Sequence, residues 1–562
     1  MSSVDWFIAL STIVLIILYG LRKSRGVKSL QGFLLADREL PWYHVGLSVM
    51  ATQASAITFI SAPGQAFSDG MRFLQFYFGL PLAMIVLCIT FVPAFKKLNV
   101  YTAYEFLESR FDLKTRTFTA ALFLLQRGLS TGITIYAPAI VLATILHVDL
   151  NYMIILNGLL VIIYTVYGGS KAVSHTQLLQ MLVIFGGLFL AVWMIFRFLP
   201  QEVGVMDALH VAGIMGKMNT INTEFGWKEK YNIWSGIIGG FFLQLSYFGT
   251  DQSQVGRYLT GSSIRESRMG LLFNGLIKIP MQFVILLIGV FVFVFYQYYQ
   301  PPVFFNKVAL NEVYEAGKGA EMDALVLEAN GIHQAKLEAL HSLDMAIASG
   351  IDNEELKWQL EVENQHQRLL GVQEAAAKLV GQVNLNAAES DSNYVFLSFV
   401  LDQFPMGMIG LLMAIIFLAS MGSAASGLNS LASTSVVDFF KRFATNTWTD
   451  SKGVFLSRGL TVFWGLFCIV TALVASRLGN LIEAVNILGS LFYGTILGVF
   501  LVAFYFKKIN GSEVFIAAVV SECIVIYLYT TDLMAFLWFN VIGCLSVILC
   551  SFLVKGLFYL RK

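Results

Sequence analysis

Residues 51–64 read ATQASAITFISAPG, a stretch apolar enough for a membrane helix and poorly made for one. Gln53-Ala54-Ser55-Ala56 interrupts the apolar run at its middle, and Pro63-Gly64 follows. Proline and glycine are the two weakest helix formers. The bilayer core holds no water to satisfy backbone N–H and C=O groups. Weakened helix survives there only where it is buried in protein or lines a cavity. The stretch therefore predicts a span broken at mid-depth inside a bundle of other spans. Breaks of this kind free carbonyl groups that hold cations in secondary transporters. Close packing by small residues is the alternative for any single span.

Two more spans share the weakness. Residues 231–256 carry Gly236, Gly239, Gly240 and Gly249 around Gln244 and Ser246, and residues 418–435 read LASMGSAASGLNSLASTS. Three weakened spans with polar groups at mid-depth favour a transport site over packing alone.

The rest of the chain supplies the bundle. Of 562 residues 57% are hydrophobic and 13% charged, about half the charge of a soluble domain. Apolar segments of spanning length fall near 5–22, 40–67, 73–95, 116–146, 149–167, 174–198, 231–256, 268–298, 395–439, 453–476, 480–505, 513–530 and 534–559. That predicts an all-α polytopic membrane protein of about thirteen transmembrane helices. Asp5 precedes the first apolar run and Arg22, Lys23, Arg25 and Lys28 follow it, the reverse of a cleavable signal. With the N-terminus outside, alternate loops hold Lys96, Lys97, Arg110, Lys114, Arg116, Arg257, Arg265, Arg268, Lys441, Arg442, Lys507, Lys508, Arg561 and Lys562. The positive-inside rule then sets the C-terminus in the cytoplasm of a cell whose inner membrane the chain crosses many times.

Residues 300–392 break the pattern. They are polar and acidic, with Leu325, Leu327, Leu337, Leu340 and Leu343 at helical spacing, and read as an outer helical hairpin or small bundle. It is a passive cap or a docking and gating element. The five cysteines form no CxxC pair, the histidines show no ligand spacing, and no basic aromatic tract suggests nucleic acid. No paired carboxylates or nucleophile–base set shares a depth, so the reading is not an enzyme. No protein partner is evident.

At these residues the chain resembles the sodium:solute symporter family. The resemblance lies in ATQASAITFISAPG (51–64), YTAYEFLESRF (101–111), IIYTVYGGSKAVSHTQLLQ (162–180), SYFGTDQSQVGRYL (246–259) and SMGSAASGLNSLASTSVVDFFKR (420–442). IYAPA (135–139) is similar to the iodide, monocarboxylate and multivitamin branch, and a sialic-acid-type branch is also near. The resemblance implies a LeuT-type 5+5 inverted repeat working by alternating access. It divides the chain into a first peripheral span and loop (1–39), a first repeat (40–198), an outer loop (199–230), the start of the second repeat (231–299), the insertion (300–392), the rest of that repeat (393–505) and two further spans (506–562).

What the resemblance implies for Na+ is a site of backbone carbonyls from Ala51, Ala54 and Ala419 with the Ser423 hydroxyl. Many members carry a second hydroxyl where this chain has Gly422, leaving a carbonyl or water to replace it. A further cation site in some members uses an aspartate where this chain has Gln177, and hydroxyls at the positions of Gly422, Ala425 and Ser426. Without an anionic ligand the expectation is one sodium per substrate.

On the substrate side, the resemblance implies a pocket of Gln53, Thr58, Tyr77, Ser130, Gln244, Tyr247, Phe248 and Lys278, with Tyr247 as inner gate. Sugar-carrying members have an acid at the Tyr77 position, so a sugar pocket of that design is not expected. Arg127, within LLQRGLSTGITIYAP (124–138), lies one turn before Ser130 on the same face. An ionised group at mid-bilayer costs roughly 2.5–3.5 kcal/mol on insertion scales and normally has a partner. Asp69, Asp251 and Asp438 read as lying nearer span ends. Two cations without matching acids point to a carboxylate substrate as the missing charge. Arg127 is otherwise a scaffold tie, and Lys278 a brace for the sixth core helix. The sequence thus predicts sodium-coupled symport of a small organic anion. Alternatives are a sugar or polyol symporter, a proton-coupled carrier, and a transporter-like sensor.

Overall fold

The computed structural model describes all residues except 24–28, 147, 202, 350–351, 385–386, 388–390, 444–448, 476–478 and 561–562. Arg25, Lys28, Arg561 and Lys562 fall outside the described residues. Among the described residues every long element is a helix, and ten helices are long and apolar enough to cross a membrane.

Three of the breaks foreseen or implied above account for the difference between ten and thirteen. The first weakened span divides into α2 (Trp42–Gln53) and α3 (Ala56–Asp69), after a peripheral helix α1 (Ser3–Lys23). A 3-10 segment (70–77) leads to a span, α4 (80–98). Helix α5 (Leu113–Leu146) follows. Residues Leu150–Phe198 would reach about 74 Å as one helix, more than twice a bilayer core. The run turns at Gly169, whose φ of +57° and ψ of −172° fall in a region essentially confined to glycine. We number its halves α6 (150–168) and α7 (170–198). The second broken span is α8 (Gly240–Thr250) and α9 (Gln252–Leu259), joined at the extended Asp251.

Helix α10 (Ile264–Tyr298) precedes the insertion, whose helices are α11 (Lys307–Glu315), α12 (Gly319–Ser349) and α13 (Asp352–Val383). After α14 (Val395–Gln403) come α15 (Met408–Thr434), α16 (Asp450–Val474), α17 (Leu481–Tyr505), α18 (Gly511–Thr530) and α19 (Leu537–Leu560).

The third weakened stretch, 418–435, stays unbroken in α15. Its hydroxyls explain why. Ser423 donates to the Ala419 carbonyl at 2.9 Å, Ser426 to Gly422 at 2.9 Å and Ser430 to Gly427 at 2.6 Å, so these three hydroxyls are satisfied by carbonyls of their own helix. Its glycines serve packing instead. A Cβ at Gly427 would lie 2.4 Å from Thr131 Oγ1 of α5.

The insertion has an apolar core of its own, including Val313, Met322, Ile332, Leu369 and Val380. Leu340 and Leu343 of α12 instead join the main core. Leu327, expected on the buried face, is 73% exposed. The buried face runs through Met322, Ala329, Ile332, Ala339 and Leu343, and Leu327 lies off that stripe.

Basic residues of the segments after α4 and α15 meet near the start of α5 and the end of α17. Arg116 meets Glu108 at 2.6 Å and Asp438 at 2.7 Å, and Arg442 meets Glu108 at 2.7 Å. Arg110 donates to the carbonyls of Ala503, Phe506 and Ile509.

A candidate substrate and sodium site at the broken helices

The break at Ala54–Ser55 changes which backbone groups are free. In an unbroken helix the amide of Ser55 would serve the Ala51 carbonyl, and that of Thr58 the Ala54 carbonyl. Here Ser55 N–H donates to Gln53 O at 3.1 Å and Thr58 N–H to Ser55 O at 3.0 Å. The carbonyls of Ala51 and Ala54 are thereby released from the helix ladder, at residues that are 3% and 0% exposed. Opposite, Ala419 and Ser423 lie one turn apart on α15; Ser423 lines the cavity and its hydroxyl donates to the Ala419 carbonyl. Thr52 Oγ1 and Ser426 Oγ, 3.1 Å apart, fasten α2 to α15 beside this point. Buried carbonyls and a hydroxyl form an oxygen-only set suited to a hard cation.

Gln177 fills the space on the other side of that fastening. Its Nε2 donates to Thr52 Oγ1 (3.1 Å), the Gly422 carbonyl (3.2 Å) and Ser426 Oγ (2.9 Å), while its Oε1 accepts from Ser48 Oγ (2.5 Å). A neutral donor thus stands among three oxygens.

A cavity of about 100 Å³ opens beside the break, between α2, α3, α5, α8 and α17. Gln53, Thr58, Tyr77, Arg127, Ser130 and Tyr247, all expected from the sequence, line it. Gln244, Phe248 and Lys278 do not. Gln244 is fully buried in α8 and Phe248 packs edge-on against Tyr247 at 4.9 Å, one ring behind the wall. Lys278 is fully buried, with its ammonium 5.7 Å from the Tyr77 ring centre, so Tyr77 stands near it at the cavity wall. Its Nζ has no hydrogen-bond partner among the described residues.

The charge argument needs correction. Arg127 is paired: its guanidinium binds Asp251 Oδ2, and the same oxygen accepts from Tyr493 OH at 2.9 Å. Asp251 is 1% exposed and is the residue at which α8 ends and α9 begins. Its other oxygen caps α9, accepting from Ser253 N–H at 2.8 Å and Ser253 Oγ at 2.7 Å. A break, unlike a span end, puts an acid at mid-bundle, and that is why this partner was missed. A Gly249-Thr250-Asp251 run before Gln252-Ser253 carried the N-cap signal for it. Tyr493, Asn486 and Val485 of α17 also line the cavity without a sequence signal that marks them.

The guanidinium still offers something to a ligand. Arg127 Nε has no partner among the described residues, and the Tyr247 ring lies 5.6 Å from its Cζ. Around it the wall is hydroxyl-rich, with Ser55, Thr58, Ser130, Thr131, Thr134 and Tyr493. Gln254 Nε2 donates to Tyr247 OH at 2.7 Å, holding that ring across the floor.

Several known proteins are similar to this chain. The sodium/sialic acid symporter NanT of Aliivibrio fischeri is 25% identical, over 96% of this chain and 90% of its own. SiaT of Proteus mirabilis, also a sodium/sialic acid symporter, is 24% identical over 99% and 95%. The human sodium/iodide cotransporter is 24% identical over 86% and 62%. A solved structure of a Na+-coupled sialic acid symporter, substrate-bound and outward-open, superposes with a TM-score of 0.76 at 22% identity, covering 99% of this chain and 98% of that one. Its likeness shows that the helices share one LeuT-type fold. The profile of the sodium:solute symporter family matches residues 33–313 and 369–554, and by the extent of that match the chain belongs to the sodium:solute symporter family.

Proposed function

We propose that this protein takes up a small organic acid, driven by one sodium ion per substrate. The observation that carries the reading is Arg127. It keeps an unpartnered Nε beside a buried, hydroxyl-lined cavity at the break of two helices. A carboxylate meets that fork with directed hydrogen bonds, and the surrounding hydroxyls take the polar remainder of the solute. Iodide and monocarboxylate among the names of the relatives support an anionic cargo.

Sodium held by the carbonyls of Ala51, Ala54 and Ala419 and the hydroxyl of Ser423 joins the broken helix to α15. That union favours the substrate-ready arrangement of Gln53 and Thr58. Release follows when Tyr247 swings and the ion leaves. The amide of Gln177 supports a stoichiometry of one, because it already satisfies the oxygens a second cation would need. The basic loops face the cytoplasm of an inner membrane and the insertion faces outward.

A neutral polyol or sugar is the second reading, favoured because Asp251 already balances the Arg127 charge. A thermal-shift screen of purified protein with sodium or choline, across carboxylates, sugars and polyols, separates the two. A carboxylate is expected to raise the melting temperature only with sodium. Arg127→Lys keeps a charge for Asp251 but loses the planar fork, and should weaken that ligand about tenfold or more. A neutral sugar giving the shift, unchanged in Arg127→Lys, overturns the anionic reading.

A further inference from the structure

Helix α7 sends two buried glutamines, one turn apart, towards α15. Gln177 has partners for both its amide atoms, as described. Gln180 does not: its Oε1 has no hydrogen-bond partner among the described residues, although the residue is 2% exposed. Native structures rarely leave a buried carbonyl oxygen without a partner, and one that is left so marks a ligand or an ordered water.

The direction of this oxygen is informative. A Cβ built on Gly422 would lie 2.4 Å from Gln180 Oε1, closer than any real contact. The amide oxygen therefore occupies the space of a side chain at position 422. It comes close only because glycine is there. Gly422 adjoins Ser423, which lines the cavity, and lies three residues after Ala419. A hydroxyl on residue 422 and the amide oxygen on residue 180 are alternative ways of bringing one neutral oxygen to the same place.

We propose that Oε1 of Gln180 is a ligand of the transported sodium ion, replacing the side chain that Gly422 lacks. This rests on the sodium reading above. An amide oxygen is a hard, neutral donor of the kind that sodium accepts together with carbonyls and hydroxyls. The geometry also pairs the two positions: a larger residue at 422 requires a smaller one at 180.

The test is a sodium titration of melting temperature, with choline as balancing cation, on purified full-length variants. Ser423→Ala and Gln180→Ala should each raise the half-saturating sodium concentration about tenfold or more, in the range seen when groups supporting a metal are removed. Gly422→Ser in the Gln180→Ala background should recover most of that loss, whereas Gly422→Ser alone collides with Gln180 and should lower stability in choline. Gln180→Glu keeps the oxygen, adds a charge and should tighten sodium, which separates ligation from packing and serves also if Gln180→Ala folds poorly. If Ser423→Ala weakens sodium while Gln180→Ala and Gln180→Glu titrate like the wild type, Gln180 holds a water or nothing, and the proposal falls alone. If Ser423→Ala also titrates like the wild type, the sodium site itself is misassigned.

Discussion

Arg127 and Asp251 form a buried pair whose halves cannot be removed independently. Each charge has lost most of its hydration, and each repays the other. Asp251→Asn is expected to destabilise the protein by about 3–5 kcal/mol, because it strands a cation between α5 and α8. Replacing both members with apolar residues of similar volume should cost less than that single change. Thermal unfolding in one detergent measures both, and equal stability of Asp251→Asn and wild type would show that the pair sustains nothing. The sequence made Arg127 legible as a buried cation that needs a partner. It hid the partner, because depth along a span is counted from its ends and a break moves the helix terminus inward. Lys278 shows the same limit from the other side: its burial was readable, but not its place near Tyr77 rather than on the cavity wall.

Elements decide which polar groups are free. The first broken span was legible, since glutamine and serine at mid-run foretold where carbonyls would be released, and Ser55 and Thr58 donate to Gln53 and Ser55 instead of to Ala51 and Ala54. Helix α15 was misjudged because hydroxyls that weaken a helix in water are satisfied within it here, by carbonyls three or four residues back. The junction of α2, α7 and α15 then depends on Gln177. Gln177→Asp exchanges a donor for an anionic acceptor among Thr52, Gly422 and Ser426, and so turns a filled junction into a cation site. Its sodium dependence should move from a Hill coefficient of about one towards about two, read from initial uptake rates in vesicles. An unchanged coefficient would mean that the junction rejects cations for reasons other than the amide.

At the scale of the whole molecule the insertion is a second body fixed to the first. Lys336 of α12 is 1% exposed and donates to Gln297 Oε1 at the end of α10, at 3.2 Å. Burial pushes its ammonium down to about 8, and burial together with the nearby cation holds His333 at about 4 and His366 at about 3, both neutral across the range of interest. The folded state thus releases a proton that the unfolded chain keeps until about pH 10.5. Stability should rise between about pH 8 and 10.5, and the Lys336→Met variant should lose that rise in a pH series of melting temperatures. Composition foretold a helical insertion. It did not foretell that Leu340 and Leu343 would enter the transmembrane core, since helical spacing marks a buried face without saying against what.

The base of that insertion rests on the half-helix that borders the cavity. A Cβ on Gly64 would meet the Ser392 carbonyl at 1.8 Å, and one on Gly289 the Pro63 carbonyl at 2.1 Å, so α3 lies between the exit of the insertion and α10 with no room for a methyl group. The carrier therefore has a handle in the aqueous phase. An antibody fragment gripping α12 and α13 would restrain α3 through that seam, and inhibit by brake rather than by plug.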